Sequence, residues 1–202
     1  MHAFKDWPAL RDDALILDTE TTGLSELAEI VELSIINGRG AVVFNRLIKP
    51  INLIPADVTA IHGITNDAVA SAPTWPEVYT RIRHMLHKKN VIIWNADFDM
   101  RLLDQTSRFY DLSPVSAWDF SPICAKTQYE VWRAIPNDKP EKRPGLYKWI
   151  SLEDAAKHHG VPLPAVRHRA LADCRLTLDV IEAVSPLMIA KQTQTQPPGE
   201  TA

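Results

Sequence analysis

Apolar residues follow two rhythms along this chain: short runs of strand length, and longer stretches in which they recur every three or four positions. Residues 14–19 are apolar on both faces until Asp18, which predicts a strand at the centre of a covered sheet. Val31, Leu33 and Ile35 alternate, Asn37-Gly38 follows, and a second run passes through Val42, Val43 and Phe44. Asn-Gly between two such runs signals a hairpin, so the first three strands are expected to form an antiparallel meander. From Pro50 to Pro73, prolines and Gly63 predict short helices and turns. Thr74 then caps a helix with Val78, Ile82, Met85 and Leu86 on one face, closed by Lys88, Lys89 and Asn90.

The second half keeps alternating. "VIIWN", residues 91–95, has strand length, and "ADFDMRLLDQTSRF" continues as a helix with Phe98 and Leu102 on one face. A weaker strand is expected around Val115–Phe120, followed by a helix capped by Ser121 with Pro122 in its first turn. Residues 135–147, rich in proline and charge, are expected to be an exposed loop. Ser151 with Asp154 resembles a capping box opening a helix that stops at Gly160, and a last helix runs from about Arg169 to Val184. Residues 1–190 are expected to form one domain and the polar stretch 191–202 a disordered tail. Three strands followed by alternating helices and strands is a mixed α/β order.

Composition narrows the partners. A chain of 202 residues with 46% apolar content can bury one sizeable core. A net charge of −3 gives no general attraction to nucleic acid, so such a partner would be drawn by local charge or bound metal. Between Lys126 and Lys148, six basic residues (Lys126, Arg133, Lys139, Lys142, Arg143, Lys148) outnumber three acids, with Tyr129, Trp132, Tyr147 and Trp149 interleaved. This segment could track a single strand, or it could be a solvated loop with its aromatics packed inward. Cys124 and Cys174 lie in segments read as helical, the N-terminus is charged, and no apolar run reaches the roughly 18 residues that span a bilayer. A cytoplasmic protein with reduced thiols and no membrane association is expected.

The chemistry collects at predicted element ends. Asp18 and Glu20 lie two apart in "LILDTETTGL", so on a strand they project from one face of its C-terminal end. Two adjacent carboxylates repel unless a cation or strong donor lies between them, and a hard divalent ion suits all-oxygen ligands. As a cap or turn residues they would carry no chemistry. Asp97 and Asp99 fall in the first turn after "VIIWN", where acids also complement the helix dipole. Asp173 opens the final helix behind His168. The two are five residues apart, so they share a side only if His168 lies in the preceding loop. A histidine there could take a proton from water, or simply be a satisfied loop residue.

"LILDTETTGL", "VIIWNADFDMRLL" and "HRALADCRLTLDVI" occur in the order and approximate spacing of the three exonuclease motifs of the DEDDh (DnaQ-like) 3′-to-5′ exonucleases, which the chain resembles from about Leu15 to Val184. The resemblance implies the ribonuclease H-like fold, a mixed five-stranded sheet flanked by helices. It implies Asp18, Glu20, Asp99 and Asp173 as metal ligands, with Asp97 at a variable position, and His168 as general base. A sister group carries tyrosine four residues before the last aspartate; here that residue is Arg169, so the histidine subfamily fits better. "IHGIT", residues 61–65, resembles the stretch that approaches the terminal nucleotide, although His62 could equally pack locally beside a glycine turn.

By the same resemblance Thr21, Gly23, Leu24, His62, Asn95 and Phe98 are expected to bind substrate. Two divalent cations, Mg²⁺ or Mn²⁺, would serve the release of nucleoside 5′-monophosphates from a nucleic acid 3′ end, with single-stranded DNA preferred. An exoribonuclease, a small-nucleotide phosphoesterase and a non-catalytic nucleic-acid-binding module are the alternatives. The short polar tail argues against docking to a polymerase, and the sequence leaves homodimerisation open.

Overall fold

Five strands form one sheet: β1 (Ala14–Thr21), β2 (Ile30–Asn37), β3 (Val42–Leu47), β4 (Asn90–Ile93) and β5 (Ser121–Cys124), in the order β3-β2-β1-β4-β5. β2 pairs antiparallel with β1 and β3, giving the expected meander, while β4 runs parallel to β1 and β5 parallel to β4. The helices are α1 (Trp7–Leu10), α2 (Ala56–His62), α3 (Asn66–Val69), α4 (Trp75–Leu86), α5 (Ala96–Arg108), α6 (Ala125–Ala134), α7 (Leu152–His158) and α8 (Ala170–Thr195). The structure is a computed structural model and describes residues 1–134 and 150–195.

Side chains alternate across a strand, and β1 uses both sides. Ala14 and Ile16 join residues of α1, α6, α7 and α8 in one apolar layer, whereas Leu15 and Leu17 join α4 and α5 in the other. Each fully buried Leu or Ile is worth about 1.5–3 kcal/mol relative to exposure, so burial on both faces holds β1 firmly. Beyond Leu17 the same alternation sends Asp18 and Glu20 toward α8 and Thr19 toward α5. A bulge lies at the end of the β1/β2 ladder: Glu20 pairs with Glu32 but Thr21 with Ile30, leaving Val31 over. Val31 packs instead with Ile54, Ile64 and Val69, which ties the α2–α3 segment to the site end of the sheet.

Local signals explain most of the elements. Glu77 accepts from both the N–H and the hydroxyl of Thr74 at 2.7 Å, which closes the start of α4. The Ser151 hydroxyl accepts from Asp154 N–H at 3.0 Å, and α7 gives way to Gly160 at φ +67°. Asn37-Gly38 does mark the hairpin, but by other means than a two-residue turn. Asn37 Oδ1 accepts from the backbone of Arg39 and Ala41, and Gly40 supplies the positive φ. Gly38 is needed because a Cβ there would collide with the Arg11 carbonyl oxygen.

Three expectations need correction. Val115–Ala117 is a 3-10 turn rather than a strand, and Ser121 opens β5 rather than a helix. Pro122 is tolerated because, among the described residues, β5 is the sheet edge and offers its open side to no further strand. Cys124 therefore ends a strand, while Cys174 is helical and buried. The last helix does not stop at Val184. It continues through Pro186 to Thr195, with Ser185 and Met188 still buried against the core. The expected loop at 135–147, together with Lys139, Lys142, Arg143, Lys148, Tyr147 and Trp149, lies outside the described residues, as do positions 196–202. Of the aromatics that are described, Tyr129 is wholly buried and Trp132 packs on the same core.

Candidate active site

The C-terminal end of β1 presents Asp18 and Glu20 to the first turn of α8, where Asp173 lies. One carboxylate oxygen from each of Asp18, Glu20 and Asp173 falls within 4.8 Å of the others. Among the described residues no hydrogen-bond donor reaches any of these three side chains. Asp99 approaches from the opposite layer, in the first turn of α5. It is buried, and its Oδ1 accepts from the Thr19 hydroxyl at 2.7 Å. Asp97, two residues earlier, is exposed and borders a separate cavity of about 530 Å³ with Ser121, Cys124 and Thr127.

Crowding and burial leave these acids reluctant to ionise. Burial raises Asp18 well above the ordinary aspartate range, and Asp99, Asp173, Glu20 and Glu32 push it further. Glu20 is raised to about 8 by burial and by Asp173, Glu32 and Asp99. Burial lifts Asp99 to about 7 against the stabilising Thr19 hydrogen bond, and Asp173 to about 6 against the pull of His168. A divalent cation would relieve this repulsion, and an all-oxygen anionic donor set suits a hard ion. The residues present therefore fit a divalent metal.

His168 stands in the loop before α8, exposed and at φ +53°, near enough to act on Asp173 electrostatically. Sequence reasoning missed what its neighbour does. Arg169 donates through Nε and Nη2 to Glu32 at 3.0 and 2.7 Å, and Ala170 N–H adds a third bond to Glu32 at 3.0 Å. Glu32 was a visible signal: a lone charge inside "IVELSII", a stretch otherwise built for burial.

The remaining candidate positions lie at the end of β1 and the turn after it, at the end of α2 and at the start of α5. Thr21 is buried, and its hydroxyl donates to Gly23 O at 2.8 Å, bending the chain into Leu24, which is 78% exposed. Arg101 Nη2 donates to Leu24 O, and Gln105 Nε2 to Ser25 O and Ala28 O, so α5 clips this loop in place. His62 is buried with both ring nitrogens engaged: Nε2 lies 3.2 Å from Thr21 O and Nδ1 accepts from Ile64 N–H at 3.0 Å. Asn95 Oδ1 accepts from Lys126 Nζ at 2.9 Å, and half-buried Phe98 lies under the Arg101 guanidinium at 5.4 Å. Thr19, Arg101 and Gln105 carried no sequence signal of their own, because their roles depend on contacts between distant elements, and Lys126, read only as part of a basic segment, proves to hold Asn95.

This sheet, with carboxylates from β1, α5 and α8 converging at the end of its central strand, defines a metal-dependent nuclease of the ribonuclease H-like fold. The chain belongs to the exonuclease (RNase_T) family, whose model matches residues 15–181. It is a phosphodiester hydrolase, a 3′-to-5′ exonuclease of the DnaQ-like group. An uncharacterized exonuclease, CP81, of Escherichia phage 186 is 42% identical over 90% of this chain and 91% of its own length. The DNA polymerase III epsilon subunit of Buchnera aphidicola is 32% identical over 49% of each chain, so that match spans about half of either protein. Among solved structures, exonuclease X in complex with 5′ overhanging duplex DNA shares 29% identity at a TM-score of 0.59, covering 86% of this chain and 92% of that one. Among the described residues no helix is long and apolar enough to cross a membrane.

Proposed function

We propose that this exonuclease degrades DNA from its 3′ end with two divalent ions, Mg²⁺ or Mn²⁺, and that Asp18, Glu20, Asp99, His168 and Asp173 carry the reaction. The observation behind this reading is the convergence of Asp18, Glu20 and Asp173, with one carboxylate oxygen from each within 4.8 Å of the others. Asp18, Glu20 and Asp173 would hold the ion on the side of the attacking water, and Asp18 with Asp99 the other. Bound there, such ions supply an acidified water and neutralise charge gathering on the phosphate.

The chain's own residues do the rest. His168 accepts a proton from the water as its oxygen adds to phosphorus. The bond from phosphorus to the 3′ oxygen breaks, that oxygen takes a proton from solvent water to leave a 3′-hydroxyl on the shortened strand, and a nucleoside 5′-monophosphate is released. Leu24 and Phe98 flank the terminal nucleotide with apolar surface, and Asn95, steadied by Lys126, offers it a polar contact. Thr21 and Gly23 shape the turn that presents Leu24, and His62 acts from behind by holding the Thr21 carbonyl. A single strand suits this approach, because an unpaired end can lay its base on Leu24 without first opening a duplex. We also read residues 1–190 as one exonuclease domain acting in the cytoplasm, where Cys124 and Cys174 stay free.

Digestion of 5′-labelled single-stranded DNA, duplex DNA and RNA, with Mg²⁺ or Mn²⁺, tests the proposal. Labelled single-stranded DNA should shorten stepwise from its 3′ end faster than the others, and Asp18→Ala should leave it intact. Equal or faster digestion of RNA would overturn the DNA assignment, and an active Asp18→Ala enzyme would overturn the site.

A further inference from the structure

His168 must be held in place by something other than its own ring. The ring makes no hydrogen bond among the described residues, and its backbone sits at φ +53°, a conformation unfavourable for a residue with a Cβ. The next two residues are gripped tightly. Arg169 and Ala170 together deliver three hydrogen bonds to the buried carboxylate of Glu32, which pairs across the ladder with Glu20. A guanidinium forked onto a carboxylate fixes direction as well as distance. Asp173 is seated differently. Its helix packs on the sheet through neighbours such as Cys174, whose Sγ reaches Ile16 O and Ser34 O. The pair therefore governs the loop residue more than the helical one.

We infer that Arg169 and Glu32 form a positioning pair that aims His168 at the reacting water, an inference that rests on the proposed role of His168. Loss of the pair should free the His168 loop while the ion-holding carboxylates stay on their sheet and helix. The test is a cycle of variants. Glu32→Gln with Arg169→Gln removes both charges together and leaves no orphaned buried ion. Arg169→Lys keeps the charge but loses the fork, and it carries the experiment should the neutral pair fail to fold.

Each is made with His168 intact and with His168→Ala, and kcat, KM and Mn²⁺ affinity are measured on samples whose melts show a folded protein. With His168 present, kcat should fall about tenfold or more for the neutral pair and less for Arg169→Lys, part of the 10²–10⁴-fold that a general base supplies. KM and Mn²⁺ affinity should stay within about threefold, and in the His168→Ala background each change should cost less than about twofold. Equal losses in the two backgrounds, or Mn²⁺ affinity falling in step with kcat, would overturn the inference alone. Undiminished kcat in His168→Ala by itself would instead overturn the role of His168, and this inference with it.

Discussion

Glu29 and the pair Asp18 and Glu20 lie at the same end of one antiparallel ladder, yet the fold treats them oppositely. Glu29, just ahead of β2, is wholly buried, and its carboxylate accepts from Ile51 N–H, Asn52 N–H and the Asn52 side chain at 2.8–3.1 Å. The chain supplies every partner it needs, so the acid staples the strand to the segment before α2. Asp18, Glu20 and Asp173 receive no donor from the described residues and are left facing one another. Glu32 is intermediate: also buried, but answered by Arg169. A buried carboxylate answered by the protein is a structural joint. Carboxylates answered only by each other make the proposed receptacle for a cation.

The largest expected effect would test the receptacle itself. Asp18→Asn should cut hydrolysis by about 10³-fold or more, because the proposed site would lose the ligand that both ions would share. The same change should raise the melting temperature of the chelator-treated protein by removing a carboxyl group whose ionisation the fold opposes. A variant that lost activity and melted lower would show that Asp18 is structural after all.

A second, intermediate effect is the pH dependence of ion-free stability. Folded-state values of about 8 for Glu20, 7 for Asp99 and 6 for Asp173 lie above the ordinary carboxylate range, so the folded protein binds more protons than the unfolded chain. The site's acids disfavour the fold least below about pH 4, the unfolded carboxylate range, and stability is lost as pH rises from there toward about 8. Thermal melts in chelator at pH 5 and pH 8 should show that fall. Mg²⁺ should reverse it at pH 8, where the ion replaces the protons. A flat profile, or one rising with pH, would remove the distinction from Glu29.

The smallest effect should come from the joint. Glu29→Gln should lower unfolding stability by about 1–3 kcal/mol in urea, since one carboxylate acceptor is replaced by an amide donor against the same N–H groups. Its pH profile and ion response should match the parent. Loss of Mg²⁺ stabilisation in Glu29→Gln would place that acid within the receptacle.

Much of this was legible in the sequence, for local reasons. Residues 14–19 were apolar on both sides, so a central strand and the shared face of Asp18 and Glu20 could be read directly. Thr74 and Ser151 announced their helices with their own side chains. Ser121-Pro122 misled because a serine followed by proline starts helices and also suits an edge strand, and only the neighbour across the sheet distinguishes the two. α8 outlasted its expected end because Met188 finds a buried place beyond Pro186, which no periodicity could reveal. Within the site, the acids and His168 were visible as motif residues. The Thr19 hydrogen bond to Asp99 and the grip of Arg169 on Glu32 were not, since each joins segments 80 and 137 residues apart.

The placement of Thr19 between Asp18 and Glu20 has one more consequence. Three consecutive residues address two different layers, with the outer two turned to α8 and the middle one to Asp99 on α5. The spacing between the candidate ligands of the two layers is thus set by the pleat of a single rigid ribbon rather than by hinged loops. Such a gauge has no intermediate settings: moving β1 by one residue against its neighbours would exchange threonine for carboxylate on both sides at once. Changes to this strand should therefore abolish the site or leave it whole, and graded tuning of the enzyme falls to the loops around it.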